Sequence, residues 1–232
     1  MIYVFYGRSN SGKTTLIVKL IKELKEKGYR VGAVKNIHSP NFTIDTEEKD
    51  TWKHTQAGSE IVVAHSEGET AFLVNRDMNP RKTLNIIDSI TDLDIVIVEG
   101  HWDDHSPKVA IGDIEDKPNT VLRYKDNYDE ILEYAVHGIE VDRVEKKLPG
   151  LDCGKCGNNL CKELANSIYL GNNSYEDCDY FSERKVSLEV DDKQIPLGMF
   201  AKEVIAGTLK GMVSSLKGVE NGKKIVITVD NP

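Results

Sequence analysis

The chain has 232 residues, 39% of them hydrophobic, enough to bury one large core or two modest ones. Its formal net charge of -8 argues against broad phosphate-backbone binding, because nucleic-acid modules are normally basic; no nucleic-acid partner is expected. The apolar opening MIYVFYG lacks a basic leader and no run reaches the about 20 apolar residues of a membrane helix, so a soluble, cytoplasmic protein without a membrane partner is expected.

In chain order, the first half alternates strand and helix signals. Residues 2–6 (IYVFY) form a continuous apolar run, as in a strand buried on both faces. Residues 13–27 carry Leu16, Leu20 and Leu24 on one stripe and stop at Gly28, a helix. Residues 30–37 read as a second strand, and 61–74 as two strands around a Glu67-Gly68 turn. Residues 81–90 fit a helix after Pro80, and 93–100 (LDIVIVEG) a buried strand. KVAIG and TVLRY supply two more strands, and 128–136 a closing helix. This alternation predicts an α/β fold with a mainly parallel sheet covered on both faces. Residues 140–150 are charged, contain a Pro-Gly pair, and read as a linker. Past it, alternation at Val186, Leu188 and Val190, a helical stripe from Phe200 to Leu216 and a run at 223–229 predict a small β-α-β tail. Gly207 and Gly211 share a face of that helix, as ordinary close packing would use them. The expected domains are therefore 1–140, 148–182 and 183–232.

GRSNSGKTT (7–15) satisfies G-x-x-x-x-G-K-[ST] between a strand and a helix, the context a phosphate-binding loop needs. Gly7, Arg8, Ser9, Asn10, Ser11, Gly12, Lys13, Thr14 and Thr15 are the candidate nucleotide-binding residues. Glycines let successive N–H groups surround a phosphate, and the helix N-terminus adds partial positive charge. Lys13 would neutralise the β- and γ-phosphates and the Thr14 hydroxyl would ligate Mg²⁺. Arg8 could reach the phosphates, although a solvated loop arginine is the simpler reading. A second acid is needed at the carboxyl end of a neighbouring strand. DIVIVEG offers Asp94 and Glu99; Glu99 is at that end and is preferred, with Asp94 read as a solvated or capping residue. Asp45 and Asp50 follow the second strand, where a switch-like loop would close over phosphate, and Asp45 is a further candidate for the metal. DKPN (116–119) lacks the aspartate of an N-K-x-D base reader, so the motifs leave ATP and GTP open.

All four cysteines fall within Cys153, Cys156, Cys161 and Cys178, spaced C-x₂-C-x₄-C-x₁₆-C. In a reducing compartment such a cluster points to metal rather than disulfides. By count, four thiolates suit zinc or an iron–sulfur cluster equally; three close and one remote favour a cubane over paired zinc knuckles, with zinc the alternative. Gly154 and Gly157 permit tight turns that aim N–H groups at sulfur.

Several separated segments resemble the molybdopterin-guanine dinucleotide biosynthesis protein B (MobB) family. In residues 31–64, Lys35, His38, Asp45, Lys49, Asp50, Thr51, Ala57 and Gly58 match its lysine-ended strand, histidine loop, D-x-x-x-K-D-[ST] and helix. VIVEGH (96–101) resembles its LVEGF, with His101 in place of the phenylalanine, and PKVAI (107–111) its following strand. The resemblance implies a dimeric GTP-binding protein with weak GTPase activity. It would assist formation of the guanine dinucleotide form of a molybdenum or tungsten pterin cofactor, beside a MobA-like nucleotidyltransferase. Lys13 and Glu99 would then be the catalytic residues. Residues 148–171 resemble a [4Fe-4S] module of corrinoid iron–sulfur proteins and of a membrane electron-transport ferredoxin subunit. Leu148, Pro149, the cysteines, both glycines and Ala165 carry that match. The alternatives are a P-loop kinase or ATPase for a small metabolite and a redox-responsive nucleotide-binding regulator.

Overall fold

A computed structural model of the chain describes residues 1–39, 42–103, 105–182, 186–190, 193–195, 197, 199–216 and 225–227. The chain divides into two compact units, Met1–Glu140 and Val141–Pro232. The first contains β1 (Ile2–Gly7), α1 (Lys13–Glu26), β2 (Val31–Lys35), α2 (Asp50–Gln56), β3 (Ile61–His65), β4 (Thr70–Val74), α3 (Pro80–Ile90), β5 (Ile95–Glu99), β6 (Lys108–Ile111), β7 (Thr120–Tyr124) and most of α4 (Tyr128–Glu145).

Five strands form one parallel sheet in the order β2-β5-β1-β6-β7. The apolar run of β1 alternates between two cores. Tyr3 and Phe5 face Leu16, Leu20 and Leu24 of α1 and Ile131, Ala135 and Ile139 of α4. Val4 faces the opposite way with Val96 and Val98, against Leu84 and Ile87 of α3 and Trp102. Each such side chain removed from water contributes about 1.5–3 kcal/mol, so a strand apolar at every position is what two covered faces select. The chain leaves β1 for one edge, returns to place β5 beside it, then continues to β6 on the other flank. The carboxyl end of β1 is thus the switch point where α/β sheets open a ligand crevice. β3 and β4 form the expected antiparallel hairpin, with Val63 opposite Phe72.

The expected linker is instead mostly helix, because apolar spacing continues through the charged residues. Ile131, Ala135 and Ile139 of α4 serve the first core, while Val141 and Val144, with Leu148, serve the second. Pro149 and Gly150 lie beyond the turn that ends it.

The second unit carries α5 (Cys161–Tyr169), a 3-10 turn at Tyr175–Asp177, α6 (Asp179–Ser182), β8 (Leu188–Val190), β9 (Lys193–Ile195) and α7 (Met199–Ser214). Its core is small: Val141, Leu148, Cys161, Leu164, Ala165 and Cys178. The predicted tail strand is the first arm of an antiparallel β8–β9 hairpin that precedes the helix. Of the predicted strand at 223–229, only 225–227 are described, outside any strand, and the rest lies outside the described residues.

Candidate functional site

The loop after β1 is built by exclusion of side-chain atoms. A Cβ on Gly7 would stand 2.4 Å from the Ile111 carbonyl oxygen and 2.9 Å from Ser11 Oγ. Gly12 caps α1 at φ 85, the left-handed region that favours glycine, and no side chain caps the helix's first amides. Asn10 also sits at positive φ (61). Arg8, Ser9 and Asn10 are exposed, as is Thr15 at the start of α1. Free first-turn N–H groups and the helix dipole suit this end of α1 to an anion. Lys13 folds over the same loop: its ammonium donates to the Gly7 carbonyl (3.1 Å), the Arg8 carbonyl and Ser11 Oγ (3.4 Å).

Thr14, one residue on, meets Glu99 from the end of β5. Thr14 Oγ1 lies 3.1 Å and 3.0 Å from the two carboxylate oxygens, sharing its hydrogen between them. The Glu99 side chain is only 10% exposed. Its second partner was not foreseen: the Lys35 ammonium, from the end of β2, bonds Oε1. Lys35 and Glu99 are register partners on adjacent parallel strands, a juxtaposition no sequence spacing reveals. A lysine ending a strand that leads to the ligand crevice was the available signal. Hydroxyl and carboxylate oxygens side by side suit Mg²⁺, which takes few protein ligands and keeps several waters.

Asp94 lies away from the Thr14–Glu99 pair. Its carboxylate accepts from Arg30 N (2.7 Å) at the opposite end of β5. Asp45 bonds within its own loop, Oδ1 accepting from Thr46 N (2.9 Å) and Thr51 Oγ1 (2.8 Å), while Oδ2 is buried without a partner. Asp50 pairs with Lys53 in the first turn of α2. His38 is exposed, and His101 offers its backbone carbonyl to Asn36 Nδ2. The segment holding DKPN is pinned to β1, with Lys117 N donating to the Tyr6 hydroxyl at 3.0 Å.

After Glu99 the chain turns at Gly100 into a loop whose carboxylate, Asp103, accepts from His105 N and Ser106 N (both 2.7 Å) and Ser106 Oγ (2.8 Å). Partial burial works against its ionisation, but these bonds and the nearby Lys108 charge outweigh it and hold its carboxyl below the usual range.

In the second unit, Cys153, Cys156, Cys161 and Cys178 line one pocket with Pro149, Asp152 and Leu164. All four are free thiols; Cys153 is exposed, Cys156 half-buried, Cys161 and Cys178 buried. Cys161 opens α5, and its N–H donates to Asp152 Oδ1 at 2.6 Å. Gly154 and Gly157 take positive φ (71 and 84) and turn the chain around the pocket. Burial pushes the Cys178 thiol up; nearby Cys156 and Cys161 add to this, against backbone N–H groups at Tyr180 and Phe181. Four converging thiols suit a cationic guest. Among the described residues, no three His, Cys, Asp or Glu side chains come close enough to hold a single metal ion. No described helix is long and apolar enough to cross a membrane.

Residues 2–136 match the family model described as "Molybdopterin guanine dinucleotide synthesis protein B". The chain belongs to the MobB family. Residues 148–180 match a second model, described as "Putative Fe-S cluster". A "Putative molybdopterin-guanine dinucleotide biosynthesis adapter protein" of Methanocaldococcus jannaschii is 29% identical over 97% of this chain and 95% of its own length. The Haemophilus influenzae adapter protein is 35% identical over 45% of this chain and 59% of its own length. The second unit is thus paralleled in the archaeal relative, whereas the bacterial match spans less than half of this chain. Among solved structures, Bacillus subtilis MobB aligns with a TM-score of 0.48 at 19% identity, covering 59% of this chain and 96% of that one.

Proposed function

We propose that this chain is a MobB-type adapter that binds GTP with Mg²⁺ and hydrolyses it slowly, supporting attachment of the guanine nucleotide to a molybdenum or tungsten pterin cofactor. The observation that carries the reading is the Thr14 hydroxyl against the Glu99 carboxylate, at the mouth of a loop whose helix amides are uncapped. Phosphates would lie on the amides of residues 8–15, with Lys13 leaving the loop carbonyls for the β- and γ-phosphates. Thr14 and Glu99 would hold Mg²⁺ directly or through its water, and the ion would supply charge neutralisation between the phosphates. Asp45, with one buried oxygen unpartnered, is the acid its loop would add to the metal's water shell. Hydrolysis needs no covalent intermediate: a water attacks the γ-phosphorus, the bond to the β–γ bridging oxygen breaks, and Lys13 with the loop amides stabilises the charge that develops there. The relatives' adapter titles support the pathway. A MobA-like nucleotidyltransferase as partner and a homodimer as the assembly belong to this proposal.

The four-thiol pocket would hold a [4Fe-4S] cluster on Cys153, Cys156, Cys161 and Cys178. Four thiols lining one pocket, three close in sequence and one remote, support this reading, with a zinc ion the alternative.

Competition binding of GTP against ATP, with phosphate release from the wild type and Lys13→Ala, tests the nucleotide reading. GTP preference and a rate abolished by the substitution are expected; clear ATP preference would overturn it in favour of a metabolite kinase or ATPase. Iron, sulfide and zinc analysis after anaerobic purification tests the cluster, and stoichiometric zinc without iron would refute it.

A further inference from the structure

Glu99 is a buried carboxylate, and it needs a compensating charge. The lysine of the phosphate loop does not provide it, since Lys13 donates to the Gly7 and Arg8 carbonyls and to Ser11 Oγ. Lys35 does, by bonding Oε1, while Thr14 spans both oxygens. The backbones beneath are fixed: Asn36 N donates to the Glu99 carbonyl at 2.9 Å, Gly100 N donates to the Phe5 carbonyl at 2.9 Å, and Lys35 is in register with Glu99. The two side chains differ in freedom. Glu99 is 10% exposed and held by Thr14, whereas Lys35 is 53% exposed on a flexible four-carbon stem. Any rearrangement of the pair therefore moves the ammonium and leaves the carboxylate in place.

A divalent cation seated on Thr14 Oγ1 and Glu99 would meet an ammonium already bound to Oε1. Two cations at one carboxylate oxygen repel, so ion and ammonium exclude each other there. Removing Lys35 needs another anion to receive it, and the terminal phosphates of a nucleotide on the adjacent loop are the anions this site would bring. We propose that Lys35 is a displaceable counter-ion: it occupies one carboxylate oxygen of Glu99, beside the Thr14 hydroxyl, until nucleotide phosphates draw it away, so that metal and nucleotide bind together and neither binds well alone. This rests on reading the loop as a site for a nucleoside triphosphate with a divalent cation.

The test titrates Mn²⁺ into the full-length protein without nucleotide, following free Mn²⁺ by electron paramagnetic resonance. Glu99→Gln defines binding at sites other than this one. The wild type should show almost no Glu99-dependent binding, and Lys35→Met should bind at least about tenfold more tightly, a gain lost in the Lys35→Met/Glu99→Gln double variant. Lys35→Arg, which keeps the charge, should resemble the wild type. With GTP added, wild-type affinity for Mn²⁺ should rise, and the ratio of affinities with and without GTP should shrink in Lys35→Met by about the same tenfold factor, as linkage requires. Metal-only affinity in Lys35→Met that equals or falls below the wild type would overturn the proposal, since that is what a clamp with only a structural role would give. Lys35 is exposed, so its replacement leaves the core intact, and Lys35→Gln repeats the measurement with a polar side chain. The metal-only arm contains no nucleotide, so its failure refutes the role of Lys35 whether or not GTP binds; absence of GTP binding refutes the nucleotide reading alone.

Discussion

Replacing Gly7 by alanine places a methyl group 2.4 Å from the Ile111 carbonyl oxygen and 2.9 Å from Ser11 Oγ. The serine hydroxyl can rotate aside. The carbonyl cannot, because Ile111 is the register partner of Gly7 across the β1–β6 pairing. The closer contact is about 1 Å inside van der Waals distance, and relief means parting two central strands at their loop ends; overpacking of this kind costs about 2–3 kcal/mol. Gly12→Ala is the matched control. Nothing lies within 4 Å of its added methyl, but its φ of 85 leaves only the left-handed strain of about 1–2 kcal/mol. Both tryptophans, Trp52 and Trp102, lie in the first unit, so fluorescence during urea unfolding follows that unit alone. With a slope of about 1–3 kcal/mol per molar urea, Gly7→Ala should lower the midpoint by about 1–2 M and Gly12→Ala by about half as much. Both should weaken nucleotide binding. If Gly12→Ala lost as much stability as Gly7→Ala, the close approach of β1 to β6 would not be what requires glycine at position 7.

Glu99→Gln should weaken the Mg²⁺-dependent part of GTP binding by about 10–100-fold, the range for charge-assisted bonds, while binding in EDTA strengthens because Lys35 is already free for the phosphates; calorimetry with and without Mg²⁺ separates the two. Cys178→Ser should abolish iron and sulfide loading and also destabilise the metal-free second unit, because Cys178 is buried in its core. Cys153→Ser should abolish loading with metal-free stability unchanged, since Cys153 is exposed; iron analysis and limited proteolysis distinguish the pair. Asp103 has a depressed folded pKa, so its stabilisation is present above the ordinary carboxylate range near pH 4 and is lost as pH falls through the lower folded value. Asp103→Asn should flatten that acid-side decline, as read from urea midpoints between pH 3 and 6 compared with the wild type.

Much of the first unit is legible because its signals are local. The glycine pattern of residues 7–14, the doubly buried β1 and the Glu67-Gly68 turn each arise from neighbours in the chain. Glu99 could be preferred over Asp94 because strand direction alone tells which end faces the ligand. The Lys35–Glu99 pair depends on β2 lying beside β5, a long-range register that periodicity does not encode. Charged residues at 140–147 read as a linker, yet the apolar positions Val141 and Val144 between them keep α4 helical. The tail was least legible: the strands among its described residues, Leu188–Val190 and Lys193–Ile195, are too short for alternation to separate one strand from two.

The two residues that face each other at the proposed metal position, Thr14 and Glu99, are 85 positions apart, and the intervening chain includes α2, the β3–β4 hairpin and α3. Closing so long a loop is entropically slow, and parallel pairing cannot begin from a local turn. Helix α1 and the glycine loop can form early from neighbouring residues, but β5 must dock between β1 and β2 before Glu99 reaches its place. Metal-dependent nucleotide binding should therefore appear late in refolding, with the docking of the central strand, and not with the first helical signal.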